Sequence, residues 1–155
     1  CSWVGGDGWG ANYDEGIAEV IAQKGIWVSP TVNTGWRRHI GNARTEKALK
    51  ERFTKMRQAG CRLIASTDAG IPNVWHHQLS SAMEVFAVVA GLTNAETLRA
   101  ATSDCADAVG LKDETGKIIP GLSADLLLCD GDPLLNLATL QQPVEVFSQG
   151  ITQLG

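Results

Sequence analysis

The stretch from residue 63 to residue 70 constrains the fold of this chain more than any other. Its sequence, LIASTDAG, is a short apolar run that ends in two hydroxyl side chains, a carboxylate and a glycine. An apolar run without alternation is typical of a strand buried on both faces of a parallel sheet. The carboxyl end of such a strand delivers Asp68 to the sheet edge where ligands bind. Asp68 could there be a metal ligand or a proton acceptor, or it could only cap the segment that follows.

Helix and strand signals alternate on both sides of this strand. In chain order the predicted elements are a helix at 14–24, a strand at 26–31, a helix at 45–59, the strand at 63–68 and helices at 77–90, 94–102 and 103–109. Asp14, Thr45 and Thr93 are the predicted N-caps. The first helix is expected to bury Ile17, Val20 and Ile21, and the glycine-rich residues 5–10 before it are expected to form a loop. This order predicts an α/β fold with a parallel sheet.

The character of the sequence changes after Gly110. Polar turns separate three strand-like stretches, which lie at 118–119, 125–130 and 144–150. Short strands joined by glycine- and proline-containing turns favour a small β unit. We therefore predict two regions, an α/β region at 1–110 and part of a small β unit at 111–155.

Composition excludes several classes of protein. Among 155 residues, 44% are hydrophobic and 19% are charged, which is typical of a globular domain. The formal charge of −4, from 13 basic and 17 acidic residues, argues against a broad nucleic-acid surface. No apolar run reaches the ~20 residues of a membrane span. Four cysteines without metal-binding spacing favour reduced thiols and a cytoplasmic location.

Several motifs, in this order and spacing, resemble the C-terminal part of metal-dependent amidohydrolases. They are STDAG at 66–70, AGLTNAETLRAAT at 90–102, GKIIPGLSADLLL at 116–128 and DGDPL at 130–134. The subgroup they most resemble contains imidazolonepropionase-like and Xaa-Pro or Xaa-Arg dipeptidase-like enzymes. The resemblance implies the C-terminal part of a (β/α)₈ TIM-like barrel, joined to strands of a small composite β-sandwich. The absence of a starting methionine also suggests a piece of a longer protein.

The same resemblance assigns a role to Asp68. It implies that Asp68 ends the eighth barrel strand, where it would be both a ligand of a divalent metal and a general acid/base. The metal is expected to be zinc, as one or two ions in the complete protein. Residues 1–3 resemble those that follow the metal-binding histidine of the sixth strand, and the other histidine and lysine ligands are absent. The piece alone is therefore expected to be inactive.

Four further side chains are candidates for binding a small-molecule substrate. His76 and His77 follow Asp68 closely, but adjacent histidines point in different directions and rarely bind one metal together. Arg37 and His39 lie in the predicted loop after the preceding strand, where an arginine could hold a substrate carboxylate through two N–H groups. An ordinary solvated basic loop would explain the same residues.

The predicted reaction is hydrolysis of a C–N bond in a cyclic amide or a dipeptide-like substrate. A related barrel hydrolase, such as a deaminase or a lactonase, would use the same aspartate. A non-catalytic structural or interaction module remains the alternative from a different class. A homo-oligomer of the complete protein is compatible with all three of these hypotheses.

Overall fold

The computed structural model of the chain describes residues 4–5, 8–9 and 13–153. The expectation for residues 1–3 lies outside these described residues. Two short strands, β1 (Val4–Gly5) and β2 (Gly8–Trp9), pair antiparallel, with Val4 opposite Trp9. The prediction of an unpaired loop across residues 5–10 is therefore wrong for these strands. Glycine weakens a strand but keeps both backbone hydrogen-bonding groups, so the pairing remains available.

The first helix, α1 (Glu15–Gln23), begins where it was predicted. The Asp14 carboxylate accepts a hydrogen bond from the backbone N–H of Ile17 at 3.1 Å, which confirms it as the N-cap. The predicted buried face is wrong in part, because Ile17 and Val20 are about half exposed and the fully buried residue is Ala18. The Cys61 thiol donates to the Ala18 carbonyl at 3.3 Å. This close approach needs a small side chain at position 18.

A parallel strand pair forms the centre of the α/β region. Strand β3 (Trp27–Val28) pairs with β4 (Arg62–Leu63), and Trp27 lies opposite Arg62. One further bond, from the Ile64 N–H to the Val28 carbonyl at 3.0 Å, continues the pairing. Both strands are much shorter than predicted, but their parallel direction agrees with the α/β prediction.

Helix α2 (Ala43–Gln58) connects the two parallel strands. Its N-cap is Asn42, whose side chain accepts from the Thr45 N–H at 3.2 Å. The predicted cap at Thr45 is therefore wrong. Asn42 and Thr45 are both good capping residues, and the upstream one adds nearly a turn to the helix.

Three helices follow β4. They are α3 (Leu79–Ala90), α4 (Asn94–Ala101) and α5 (Ser103–Ala108), and α3 is preceded by a 3₁₀ helix over His76–Gln78. Thr93 and Glu96 form the predicted capping box: the Glu96 N–H donates to the Thr93 hydroxyl at 3.2 Å, and the Thr93 N–H donates to the Glu96 carboxylate at 2.8 Å. The Ala65 N–H donates to the Ala100 carbonyl at 2.9 Å, which attaches α4 to the end of β4.

The main hydrophobic core lies between α2, α3 and the parallel strands. Its largest buried side chains include Leu49, Phe53, Phe86 and Val89. The rings of Phe53 and Phe86 meet edge to face, with centroids 6.2 Å apart. The core therefore holds the two helices against the strands that lead to Asp68.

The last part of the chain forms a three-stranded antiparallel sheet. Its strands are β5 (Leu126–Cys129), β6 (Pro143–Ser148) and β7 (Ile151–Thr152), with β6 in the middle. A 3₁₀ helix over Leu137–Gln141 precedes β6 and contacts α3. A small β unit was predicted here, and two of its three predicted stretches contain strands; their antiparallel direction was not predicted.

The predicted strand at 118–119 is wrong. Ile118 and Ile119 lie in a turn region and are largely exposed. Polar contacts fold the segment back on itself: the Ser123 N–H donates to the Glu114 carbonyl at 2.7 Å, and the Thr115 hydroxyl donates to Asp125 at 2.9 Å.

None of the described helices is both long enough and apolar enough to span a bilayer.

Candidate functional site

Asp68 lies at the end of the segment that leaves β4. Its side chain is exposed, and its backbone has a φ of 61°, in the left-handed region. This conformation costs an L-residue roughly 1–2 kcal/mol, although aspartate and asparagine adopt it more readily than other non-glycine residues. Backbone strain of this kind is common where a side chain must be held in one direction for function.

A hydrogen-bond network around Ser66 joins the ends of the two parallel strands. The Ser66 hydroxyl oxygen accepts from the Ser29 hydroxyl at 2.7 Å and from the Thr31 N–H at 3.0 Å. Thr31, like Asp68, has a positive φ, of 52°. The segments that follow β3 and β4 therefore leave from one shared edge, which is the edge where parallel sheets bind ligands.

The segment after Asp68 is closed by its backbone, without help from the Asp68 carboxylate. The Ile71 N–H donates to the Asp68 carbonyl at 3.4 Å, and the Gly70 N–H donates to the Val74 carbonyl at 3.0 Å. Within residues 13–153, no hydrogen bond or ion pair engages the carboxylate itself. A capping role would require such a bond, so the described residues do not support that role for Asp68.

A carboxylate oxygen is a suitable ligand for zinc and for harder divalent cations. A protein metal site, however, takes about three or four protein ligands. Across the described part of the chain, no three histidine, cysteine, aspartate or glutamate side chains come together to hold a metal. Asp68 therefore fits one position of a metal site and cannot complete one with these residues.

His76 and His77 lie close to Asp68 along the chain, and both side chains are exposed. They open the 3₁₀ helix that leads into α3, after the exposed Trp75. The Gln78 side chain accepts from the Trp75 N–H at 3.1 Å and thereby closes this turn. The role of His76 and His77 in substrate binding stays a prediction.

The segment after β3 is more ordered than the loop predicted to follow this strand. Residues Thr34–His39 form a 3₁₀ helix, capped by Asn33, which accepts from the Gly35 N–H at 3.0 Å. In this helix Arg37 is exposed and bonds Glu84 of α3 at 3.1 Å. The predicted substrate contact of Arg37 would compete with this ion pair.

His39 is buried, with 8% of its surface exposed. Its Nε2 accepts a hydrogen bond from the Arg38 Nε–H at 3.2 Å, and its ring meets the edge of Trp36 at 6.3 Å. Burial, and secondarily the positive charge of Arg38, lower the pKa of His39 below its ordinary value of 6.5. The structure thus places His39 in the packing beneath the 3₁₀ helix, where it positions Arg38.

This burial predicts a pH-dependent stability. Near and just below pH 6.5 the unfolded chain binds a proton at His39 that the folded chain does not, so the free energy of unfolding should fall as the pH drops. Urea unfolding curves at pH 7.5 and pH 5.5 measure the difference. His39→Gln should make the difference smaller. If the free energy of unfolding changes equally between the two pH values in wild type and in His39→Gln, the prediction is contradicted.

Sequence reasoning missed the contacts that join distant segments. Ser66 was noticed only as part of a motif, and its bonds to Ser29 and Thr31 were not predicted. Glu84 was likewise missed as the partner of Arg37. A hydroxyl at the end of each parallel strand was the available signal for the first network, and no local pattern marked the second.

Comparison with known proteins identifies the family of this chain. Residues 11–152 match the Amidohydrolase family. The match spans most of the chain, and the chain therefore belongs to the amidohydrolase family. The predicted family is confirmed. No curated protein sequence matches the chain.

Solved structures of other proteins share the fold. A protein described as a prolidase from Bifidobacterium longum is 24% identical, with a TM-score of 0.74 over 93% of this chain and 40% of its own. A Xaa-Pro dipeptidase with bound methionine is 20% identical, with a TM-score of 0.74 over 95% of this chain and 39% of its own. The A. niger ochratoxinase is 20% identical, with a TM-score of 0.70 over 90% of this chain and 34% of its own. The chain thus spans about two fifths or less of the length of these proteins.

Proposed function

We propose that this chain is part of a metal-dependent amidohydrolase that hydrolyses a C–N bond, with Asp68 as metal ligand and general acid/base. Residues 1–110 would supply the last two strand–helix units of a (β/α)₈ barrel, and residues 111–155 would supply strands of a small β-sandwich. The family match and the parallel pair β3–β4 support this arrangement.

The observation that carries the proposal is the state of the Asp68 carboxylate. It is exposed at the shared edge of two parallel strands, it sits on a left-handed backbone, and no described residue bonds it. A merely structural aspartate at this turn would be expected to bond a nearby N–H group. The geometry instead leaves both carboxylate oxygens available.

The chemistry assigned to Asp68 follows from what amide hydrolysis requires. When bound, a divalent cation such as Zn²⁺ supplies a water whose pKa is lowered to about 7. Asp68 can accept a proton at one carboxylate oxygen and then donate it to the departing nitrogen, which would otherwise be a poor leaving group. Ser66 and the backbone turn at 68–74 hold the strand end, and thus Asp68, in one place.

The preferred substrate class is a dipeptide or dipeptide-like small molecule. Two of the structural neighbours are described as a prolidase and a Xaa-Pro dipeptidase, and this supports a dipeptide over a cyclic amide. The hypotheses of a deaminase or a lactonase have no comparable support.

Metal removal from the complete protein tests the proposal. The product of the whole coding sequence should hydrolyse a Xaa-Pro dipeptide such as Ala-Pro, lose this activity on treatment with a chelator, and regain it with added Zn²⁺. Because Asp68 supplies only one ligand, other residues of the complete protein should supply the rest, and the resemblance to amidohydrolases implies that these include a His-x-His pair. Full activity in the chelated protein, with no metal detected by elemental analysis, would contradict the proposal.

A further inference from the structure

We propose that the Ser66 hydroxyl donates a hydrogen bond to the carbonyl oxygen of the scissile amide, which makes Ser66 a second catalytic residue beside Asp68. This inference rests on the proposed hydrolase function and deepens it. It adds a group that stabilises the negative charge developing on the substrate oxygen during hydrolysis.

The Ser66 oxygen has no capacity left to accept a hydrogen bond. A serine hydroxyl has two lone pairs and one proton. The Ser29 hydroxyl donates to one lone pair at 2.7 Å, and the Thr31 N–H donates to the other at 3.0 Å. The Ser66 proton is the group left over, and no residue within 13–153 accepts it. An atom of a ligand that meets this hydroxyl must therefore be an acceptor.

The direction of this proton is fixed before a ligand arrives. The Ser66 oxygen is bonded to its own Cβ and meets two donors, so only one of its four tetrahedral positions remains for the proton. Ser66 is half-buried between the buried residues Ala65 and Thr67, which limits its movement. A donor that is already oriented needs no reorganisation during the reaction, and this is the property of groups that stabilise a developing oxyanion.

The chain itself keeps Ser66 close to Asp68. Two successive residues span at most about 7 Å, so the Cα atoms of Ser66 and Asp68 lie within that distance. The Asp68 carboxylate is exposed and bonds none of the described residues. In an amide, the oxygen and the nitrogen are attached to the same carbon. One side chain can therefore donate to the oxygen while its near neighbour protonates the nitrogen.

The two residues would then act on different atoms in the same reaction. Water adds to the amide carbon, Asp68 takes one of its protons, and the electron pair of the C=O double bond moves to the oxygen, where the Ser66 hydroxyl donates to it. The pair returns when the C–N bond breaks, and Asp68 gives its proton to the departing nitrogen. The products are a carboxylic acid, which keeps the second proton of the water, and an amine.

The test compares serine variants of the complete protein with Ala-Pro as the substrate. Ser66→Ala should lower kcat by about 10²- to 10³-fold, as for the loss of one donor to an oxyanion, with KM changed less than about threefold. Ser66→Thr keeps the hydroxyl and should retain kcat within about tenfold. Ser66→Cys keeps the size of serine but donates weakly, so it should also lose activity and replaces Ser66→Ala if that variant does not fold.

Ser29→Ala is the matched control, because it breaks the same 2.7 Å bond between the strand ends but leaves the Ser66 hydroxyl in place. It should lower kcat by less than about tenfold, since no donor to the substrate is lost. A purely structural bridge would instead make Ser29→Ala and Ser66→Ala equally harmful. That result would overturn the role of Ser66 and leave the hydrolase proposal intact.

Inhibition by the phosphonamidate analogue of Ala-Pro gives a second readout. Its tetrahedral phosphorus replaces the amide carbon, and its oxygens imitate the developing oxyanion. Ser66→Ala should raise the inhibition constant by about the factor by which it lowers kcat/KM, as expected for a contact made in the transition state. An unchanged inhibition constant would overturn the inference alone. A wild-type protein that hydrolyses neither Ala-Pro nor other dipeptides would overturn the hydrolase proposal and this inference together.

Discussion

Replacing Asp68 with asparagine is expected to reduce turnover of Ala-Pro by the complete protein by at least about 10³-fold, with the fold unchanged. Asparagine keeps the size of aspartate and tolerates the left-handed backbone at this position, which has a φ of 61°. It cannot accept the proton that a carboxylate accepts, and general acid–base catalysis contributes roughly 10²–10⁴-fold on its own. Loss of the metal ligand that we propose for Asp68 should add to this effect.

The measurement is kcat/KM, with circular dichroism and bound metal determined in parallel. Asp113→Asn is a suitable control, because Asp113 is an exposed aspartate in the turn region after α5. The control should keep wild-type activity. Activity of Asp68→Asn within about tenfold of wild type would refute the assigned role.

Replacing Phe86 with alanine is expected to lower the free energy of unfolding by about 3–5 kcal/mol. Phe86 is 2% exposed, and its ring packs edge to face on Phe53 of α2. The truncation would remove this contact and leave a cavity between α2 and α3. Because domains are stable by only about 5–15 kcal/mol, the loss would be a large part of the total.

Urea unfolding followed by circular dichroism measures this change. Ile118→Ala is the control, since Ile118 is 87% exposed and its truncation should cost less than about 0.5 kcal/mol. If Phe86→Ala unfolds at the same urea concentration as Ile118→Ala, the core between α2 and α3 is not where the structure places it.

Predictions from the sequence were most accurate where the interaction is local. The Asp14 cap and the Thr93–Glu96 capping box involve residues three positions apart, so the pattern contains both partners. The Asn42–Thr45 bond has the same spacing, but there the sequence offered two capping residues and the wrong one was chosen. Local chemistry can thus narrow a helix start without choosing between neighbouring candidates.

Predictions failed where distant segments decide the outcome. Ile17 and Val20 have the expected spacing for a buried face, yet the approach of Cys61 places Ala18 there instead. The ion pair of Arg37 with Glu84, which lies far along the chain, was also not predicted. The burial of His39 likewise depends on packing that no local pattern shows.

The sequence by itself determined the α/β class, the order of the main elements, the amidohydrolase family and the choice of Asp68 as the residue to test. These follow from short-range periodicity, capping residues and the order of motifs, all of which can be read directly from the sequence. Only the tertiary structure decided that Ser66 joins the two strand ends, that the Asp68 carboxylate bonds none of the described residues, and that Arg37 pairs with Glu84 of α3. Those facts depend on contacts between segments tens of residues apart, which form only when the core brings the segments together.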